Sequence, residues 1–237
     1  VDVARGVNND YSAFIVFDAT QAPYKIVAKY RNNDIKPIVF PNILKKVADY
    51  YNKAYVLIEI NDLGQQVADA MQFELEYDNM MMVTQRGRAG QVLGGGFSGR
   101  GNQLGLRMTK GTKKIGTSNL KSLIEGDKLI IQDFEIVSEL STFISKGKSF
   151  EAENGAHDDL VMCLVIFSWC ANQRYFKELT NVDVRGQMFT DQKNAIEADM
   201  APFGFIDDGL NDPDGNNNSF FDDAGVLWQP VTYRKGE

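Results

Sequence analysis

Ala54-Tyr-Val-Leu-Ile-Glu-Ile60 decides how this chain is read: an almost unbroken apolar run with one carboxylate set inside it. Such a run suits a strand covered on both faces, as in the parallel part of an α/β sheet. Upstream, Tyr11-Ser-Ala-Phe-Ile-Val-Phe-Asp18 and Tyr24-Lys-Ile-Val-Ala-Lys-Tyr-Arg31 are rich in β-branched and aromatic residues. The turn residues of Thr20-Gln-Ala-Pro23 lie between them, so the pair predicts a β-hairpin. Val1-Asp-Val-Ala4 predicts the stump of a preceding strand.

Working outward, Ile43, Leu44, Val47, Ala48 and Tyr51 recur at helical spacing behind Pro41, which predicts a helix over 41–53. A second helix is expected through Val67, Ala70, Met71 and Leu75, and a strand over 80–84. Residues 85–112 are glycine-rich with little periodicity and predict a long flexible loop or hairpin. Leu120, Leu123 and Ile124 mark a helix, residues 128–131 a short strand, and Ile136, Leu140, Phe143 and Ile144 another helix. The last strong helix begins near His157 and runs through Leu160-Val-Met-Cys-Leu-Val-Ile-Phe167, apolar nearly all round and hence buried. The order implies a mixed α/β sheet, antiparallel at its start and parallel after the crossovers, with helices on its faces.

With 237 residues, 43% of them hydrophobic, the chain supports one sizeable core. It shows no apolar run long enough to span a bilayer and no leader-like start, which predicts a cytosolic protein without a membrane partner. Because it opens on Val1, with chemistry-bearing residues at once, it reads as a fragment of something longer. Cys163 and Cys170 share one helical run, about 10 Å apart by helical rise, too far for a disulfide, and are expected as reduced core residues. The net charge of −7 is uneven. Within 85–128, Arg86, Arg88, Arg100, Arg107, Lys110, Lys113, Lys114, Lys121 and Lys128 face only Glu125 and Asp127. This strip on an acidic body fits local contact with a polyanion.

Three acidic positions stand out, since burying an unpaired carboxylate costs several kcal/mol, roughly, unless something positive compensates. Asp2 lies in a strand-like segment, Glu59 in an apolar strand, and Asp158-Asp159 opens a very apolar helix. A divalent cation is an obvious compensator, and hard oxygen ligands favour Mg²⁺ or Mn²⁺. Each acid also has a plain structural reading. Asp158 or Asp159 could cap its helix, Glu59 could stand at a strand end in solvent, and Asp2 could be an ordinary exposed acid. His157 beside the pair is a candidate to orient water or a ligand, and Asp10 and Asp62 are weaker acidic candidates that also suit turns.

Two look-alikes fail. Gly111-Thr-Lys-Lys-Ile-Gly116-Thr117 resembles a phosphate-cradling loop, yet Thr117 stands where the lysine must be. Asp212-Pro-Asp-Gly215 resembles a calcium loop, yet Leu210 falls on its first ligand position. No covalent nucleophile set and no tetrahedral zinc set is present.

Three ordered motifs, Val1-Asp-Val-Ala-Arg-Gly6 with Asp10-Tyr-Ser-Ala13, Leu57-Ile-Glu-Ile-Asn-Asp62, and Gly155-Ala-His-Asp-Asp-Leu160, together resemble the nuclease domain of the large terminase subunit of T-even-like tailed bacteriophages. Gln85-Arg-Gly-Arg-Ala-Gly90 and Glu139-Leu-Ser-Thr-Phe143 agree with it. The resemblance implies a ribonuclease H-like mixed sheet and extends to about residue 205. Beyond it, composition alone marks 206–237 as an acidic tail, whose Asn- and Asp-rich stretch 209–229 is expected to be loosely packed. It implies a metal-dependent endonuclease that cuts concatemeric double-stranded viral DNA by a two-metal type of hydrolysis. Asp2 and Glu59 carry over as metal ligands, with Asp159 favoured over Asp158 as the third. A packaging ATPase domain, a portal and a small terminase subunit are its implied partners, in the host cytoplasm. Two other readings share these residues: a junction resolvase or transposase-like nuclease, and a non-catalytic portal-docking module. The glycine-rich 85–112 segment is a candidate gate over the site.

Overall fold

The computed structural model describes residues 1–4, 10–86, 90–94, 102–147, 149–180, 220–221 and 227–228. The chain divides into two compact units, Val1–Gln187 and Met188–Glu237. In the second, the expected loose 209–229 stretch lies outside the described residues except for two short strands. Phe220–Phe221 and Leu227–Trp228 pair there antiparallel.

In the first unit, β1 (Ser12–Asp18) and β2 (Tyr24–Asn32) form the expected antiparallel hairpin. Then follow α1 (Phe40–Tyr50), α2 (Gly64–Asp69) running into a π-helical turn (Ala70–Glu74), and the strands β3 (Met82–Arg86), β4 (Gly90–Gly94) and β5 (Asn102–Leu104). The chain continues through α3 (Lys110–Glu125), β6 (Leu129–Ile130), α4 (Phe134–Ser141), β7 (Phe143–Lys146), β8 (Ser149–Ala152), α5 (Asp159–Ala171) and α6 (Arg174–Thr180).

The sheet is assembled around its shortest members. β6 runs parallel to β2, and β2 pairs with β1. On the other side of β1, Asp2 and Ala13 exchange both backbone hydrogen bonds at 2.9 Å, an antiparallel pair. The Val1 nitrogen then donates to Leu57 O and Glu59 N donates to Val1 O, which lays residues 1–3 parallel to the 54–60 segment. That segment is bridged in parallel on its far side by Val56 to Met80 and Glu59 to Leu106. The stump at the chain start is thus a central strand, and the 54–60 run is sandwiched as its composition requires.

Alternation along the strands sorts the side chains. Phe14, Val56, Ile58 and Ile60 join the core under α1 and α2, and Val1, Val3 and Val16 pack against it. Ala13, Leu106 and most of the large side chains of α5 form the opposite core, with Ile15, Phe17 and Leu57 against it. Asp2 and Glu59, flanked by residues of the first set, therefore face α5. A β-bulge between Val16 and Phe17, with Val27 as the extra residue opposite, changes the parity of β2. Tyr24 and Ile26 face the α5 side before it; after it Arg31, paired with Ala13, faces that side as well.

Three local expectations are revised. The helix expected from the Ile136 spacing stops at Ser141, and Phe143 and Ile144 belong to β7. There the Ser141 and Thr142 hydroxyls bond back to the Ser138 and Glu139 carbonyls, drawing the chain out of the helix. Of the loop-or-hairpin alternatives for 85–112, the described parts follow the hairpin and revise the flexible loop: Gln85 and Arg86 end β3, which pairs antiparallel with β4 and β5 on either side, with Leu93 buried. Helix α3 begins at Lys110, where Thr109 Oγ accepts from Thr112 N, well before the apolar spacing announces it.

Gly111 and Gly116 obscure that start, and Gly116 has a reason. A Cβ there would stand 2.6 Å from Val165 O, so α3 and α5 approach closer than any side chain permits. Gly116→Val is expected to lower unfolding free energy by about 1–3 kcal/mol through overpacking, read from urea titration of the full chain. An unchanged midpoint would refute the close approach.

Candidate functional site

Helix α5 is buried along its whole length, which fixes where its first turn sits. Neither of the two aspartates there caps it. Among the described residues Asp158, at the N-cap position, makes no side-chain capping bond. Glu139 of α4 does the capping instead: its Oε2 accepts from Leu160 N (2.8 Å) and Val161 N (3.2 Å). Both aspartates are thereby left free of the capping role.

Asp159 Oδ1 accepts from Tyr11 N at 3.3 Å. Its buried Oδ2 has no hydrogen-bond partner among the described residues, and neither has the buried Oε2 of Glu59. Asp2 is half-buried beside the other acids, and loss of solvent around its carboxyl pushes it well above the usual range. The Glu59, Asp159 and Asp158 carboxylates push it further, against the Val1 amino group. Glu59 is pushed up to about 7, by burial first, while the Val1 amino group and Lys113 hold it down and Asp158 raises it. Asp159 is raised by burial too, against the Tyr11 amide, Arg31 and His157. The sequence-predicted acids thus meet in one hollow.

The cations around the hollow are specific. Lys113 Nζ lies 3.4 Å from Asp158 Oδ2 and 5.5 Å from the centre of the Phe143 ring. Arg31 reaches Glu139 Oε1 at 3.3 Å and Asp159 Oδ2 at 3.6 Å, with its guanidinium 3.9 Å above the Tyr11 ring. His157 Nδ1 is 3.9 Å from Asp159 Oδ2, and its ring meets Tyr11 edge-on. Among the described residues of the basic strip, Lys113 alone is placed in an ion pair with a site acid. Lys110 and Lys114 are exposed on the same helix, Lys121 pairs with Glu125 at 3.6 Å, and Arg107 is exposed. Arg88, Arg100 and the Arg86 side chain lie outside the described residues. Asp10 is exposed, and Asp62 stands in a turn with φ of 51°. Arg31 and Glu139 are the residues that sequence reasoning missed as members of the site.

An all-carboxylate set with two unpartnered buried oxygens fits a hard divalent cation, whose charge offsets the burial and whose preference is for oxygen. Among the described residues no three such side chains are drawn in tightly enough to hold one ion as they stand. Like charges in one hollow spread apart, and a cation would gather Asp2, Glu59 and Asp159 together.

A mixed sheet whose central strands each carry a half-buried acid, completed by a buried acid at a helix start, is the arrangement of a ribonuclease H-like domain. The chain belongs to the terminase RNaseH-like domain family, whose model matches residues 1–167. Membership supports a nuclease role in DNA packaging.

The buried charge has a measurable consequence in chelator. Between 4.5 and about 7 the folded protein keeps the Glu59 proton that the unfolded chain has lost, so stability falls as pH rises through this window. Glu59→Gln removes that loss. The variant is expected to exceed the natural protein by about 2 kcal/mol at pH 8, a gain that disappears at pH 4, by urea titration in EDTA. A variant less stable at pH 8 would contradict the burial of an ionising Glu59.

Proposed function

We propose that residues 1–205 are a divalent-metal-dependent endonuclease that cuts concatemeric double-stranded viral DNA during genome packaging in a T-even-like tailed phage. The observation that carries this reading is the convergence of Asp2, Glu59 and Asp159 in one hollow, two of them with unpartnered buried oxygens. Asp2, Glu59 and Asp159 would hold Mg²⁺ or Mn²⁺, with Asp158 in support. Bound there, such ions supply a water acidified for attack and stabilisation of the leaving oxygen of a phosphodiester.

The chain's own residues do the rest. The two central strands fix the backbone of Asp2 and Glu59 through hydrogen bonds, and buried α5 fixes that of Asp159, so only the side chains need to move for a cation to gather them before substrate arrives. Lys113 keeps Asp158 turned toward α3, and Lys110, Lys114 and Lys121 offer phosphate contacts along that helix, with Arg86, Arg88, Arg100 and Arg107 completing the strip. In the full protein we place an ATPase domain beside this one, with the portal and the small terminase subunit as partners, in the host cytoplasm. The acidic tail, residues 206–237, suits contact with such a partner.

Asp2→Asn and Glu59→Gln are each expected to reduce Mn²⁺-dependent nicking of plasmid by about a thousandfold or more while leaving the circular dichroism spectrum unchanged. Undiminished cleavage in either folded variant would sink the nuclease assignment to this hollow. A strong preference for four-way junctions over linear duplex would favour a resolvase.

Binding of duplex DNA should weaken as salt rises. Replacing both Lys110 and Lys114 by Ala is expected to reduce the slope of log affinity against log salt by ~0.9 per lost phosphate contact. An unaltered slope in a fluorescence-anisotropy titration would remove α3 from the DNA path.

A further inference from the structure

Arg31 occupies an unusual place. Arg31, Ala13 and Asp2 are successive partners across three strands, and Glu59 lies one strand beyond, all on the α5 side of the sheet. The small, fully buried Ala13 between Arg31 and Asp2 leaves room for the guanidinium to lean over the sheet toward the acids. Neither carboxylate contact is a hydrogen bond: Glu139 Oε1 at 3.3 Å and Asp159 Oδ2 at 3.6 Å both lack a hydrogen-bond partner among the described residues. The two carboxylates differ in how their other oxygen is anchored. Glu139 is bolted down by the Leu160 and Val161 amides at 2.8 and 3.2 Å, whereas Asp159 accepts only the longer bond from the Tyr11 amide at 3.3 Å. Charge-assisted bonds close to about 2.7–2.9 Å when they are tight, so both holds are electrostatic, and the one on Asp159 is the looser. Arg31 Nε is itself buried without a hydrogen-bond partner among the described residues. The guanidinium is kept in place by Glu139 and by the Tyr11 ring, 3.9 Å below it.

We propose that Arg31 is a positioning residue that serves as the resident counter-charge of the hollow. It neutralises Asp159 until a divalent cation displaces it from Oδ2, and it then stays with Glu139. The inference rests on the metal-dependent reading of the site. It explains how the buried Asp159 is tolerated beside the other carboxylates before any cation arrives, and it implies that the cation binds against a standing positive charge. Binding is therefore weaker than the carboxylates alone would give, and the hollow loads only where the divalent cation is plentiful.

The test is calorimetric titration of Mn²⁺ into the chelator-stripped full chain, for the natural protein, Arg31→Gln and Arg31→Lys. Removing the charge is expected to tighten Mn²⁺ binding about tenfold. Arg31→Lys, which restores the charge without the planar fork, is expected to return the affinity to within about twofold of the natural protein. Equal or weaker binding by folded Arg31→Gln, or Arg31→Lys behaving like Arg31→Gln, would overturn the proposal while leaving the metal reading intact. Should Arg31→Gln fail to fold, Glu139→Gln gives the opposite sign. The guanidinium then lies wholly on Asp159, Mn²⁺ binding is expected to weaken about tenfold, and unchanged or tighter binding would overturn the proposal. Absence of Mn²⁺ binding to the natural protein would overturn the metal reading and the role of Arg31 together.

Discussion

Like charges whose backbone attachment points cannot move apart, so that only their side chains can lean away, are the constraint on which this structure turns. Asp2 and Glu59 are tied by backbone hydrogen bonds to the two central strands, and Asp159 opens a helix with no exposed face. Two unit charges at 4 Å repel by about 4 kcal/mol at the effective dielectric of a protein. The backbone offers no route to relieve that repulsion by retreat, so protons, cations or fixed basic groups must carry it. Arg31 approaches from β2 and Lys113 from α3, one on each flank of the Asp158-Asp159 pair.

The apolar parts of the fold are arranged to hold this pattern still. Core side chains above and below the sheet lock the strand pleat, and a slip of one residue would turn both acids to the α1 side. Gly64 brings α2 so near the acid-bearing strand that a Cβ would sit 1.7 Å from Glu59 O. Gly105, at φ +96°, lets the next segment approach Ile58 O in the same way. Glu59 is therefore clamped by backbone on either side rather than by the flexible ends of side chains. Cys163 and Cys170, both unpaired and buried in this packing, have thiols pushed up to about 12 by burial and are inert filling.

What the sequence made legible was what neighbouring residues encode. The hairpin, the helix behind Pro41, the sandwiched 54–60 strand and the fully apolar α5 all follow from local periodicity. The acids stood out because each interrupted an apolar context. The identity of the helix cap was illegible, because Glu139 reaches α5 from another helix and no spacing rule links them. Arg31 was hidden by the bulge at Val27. Counting alternately from Tyr24 and Ile26 puts Arg31 on the α1 side, and only the extra residue turns it toward the site. The early part of α3 was obscured by two glycines, and the reason for Gly116, the nearness of Val165, lies on a different helix. In each case the missing information was a register or a distance between elements.

The way the hollow is pieced together also sets when it can first exist. The bond from the Tyr11 amide to the Asp159 carboxylate spans 148 positions, and the first acid lies in residues that emerge from the ribosome long before α5 is made. Pairings of such separation form late in folding. A growing chain thus carries Asp2 and Glu59 before the helix that completes their company has been made. Whatever chemistry the hollow performs is switched on by the closing of the core, and no shorter nascent piece possesses it.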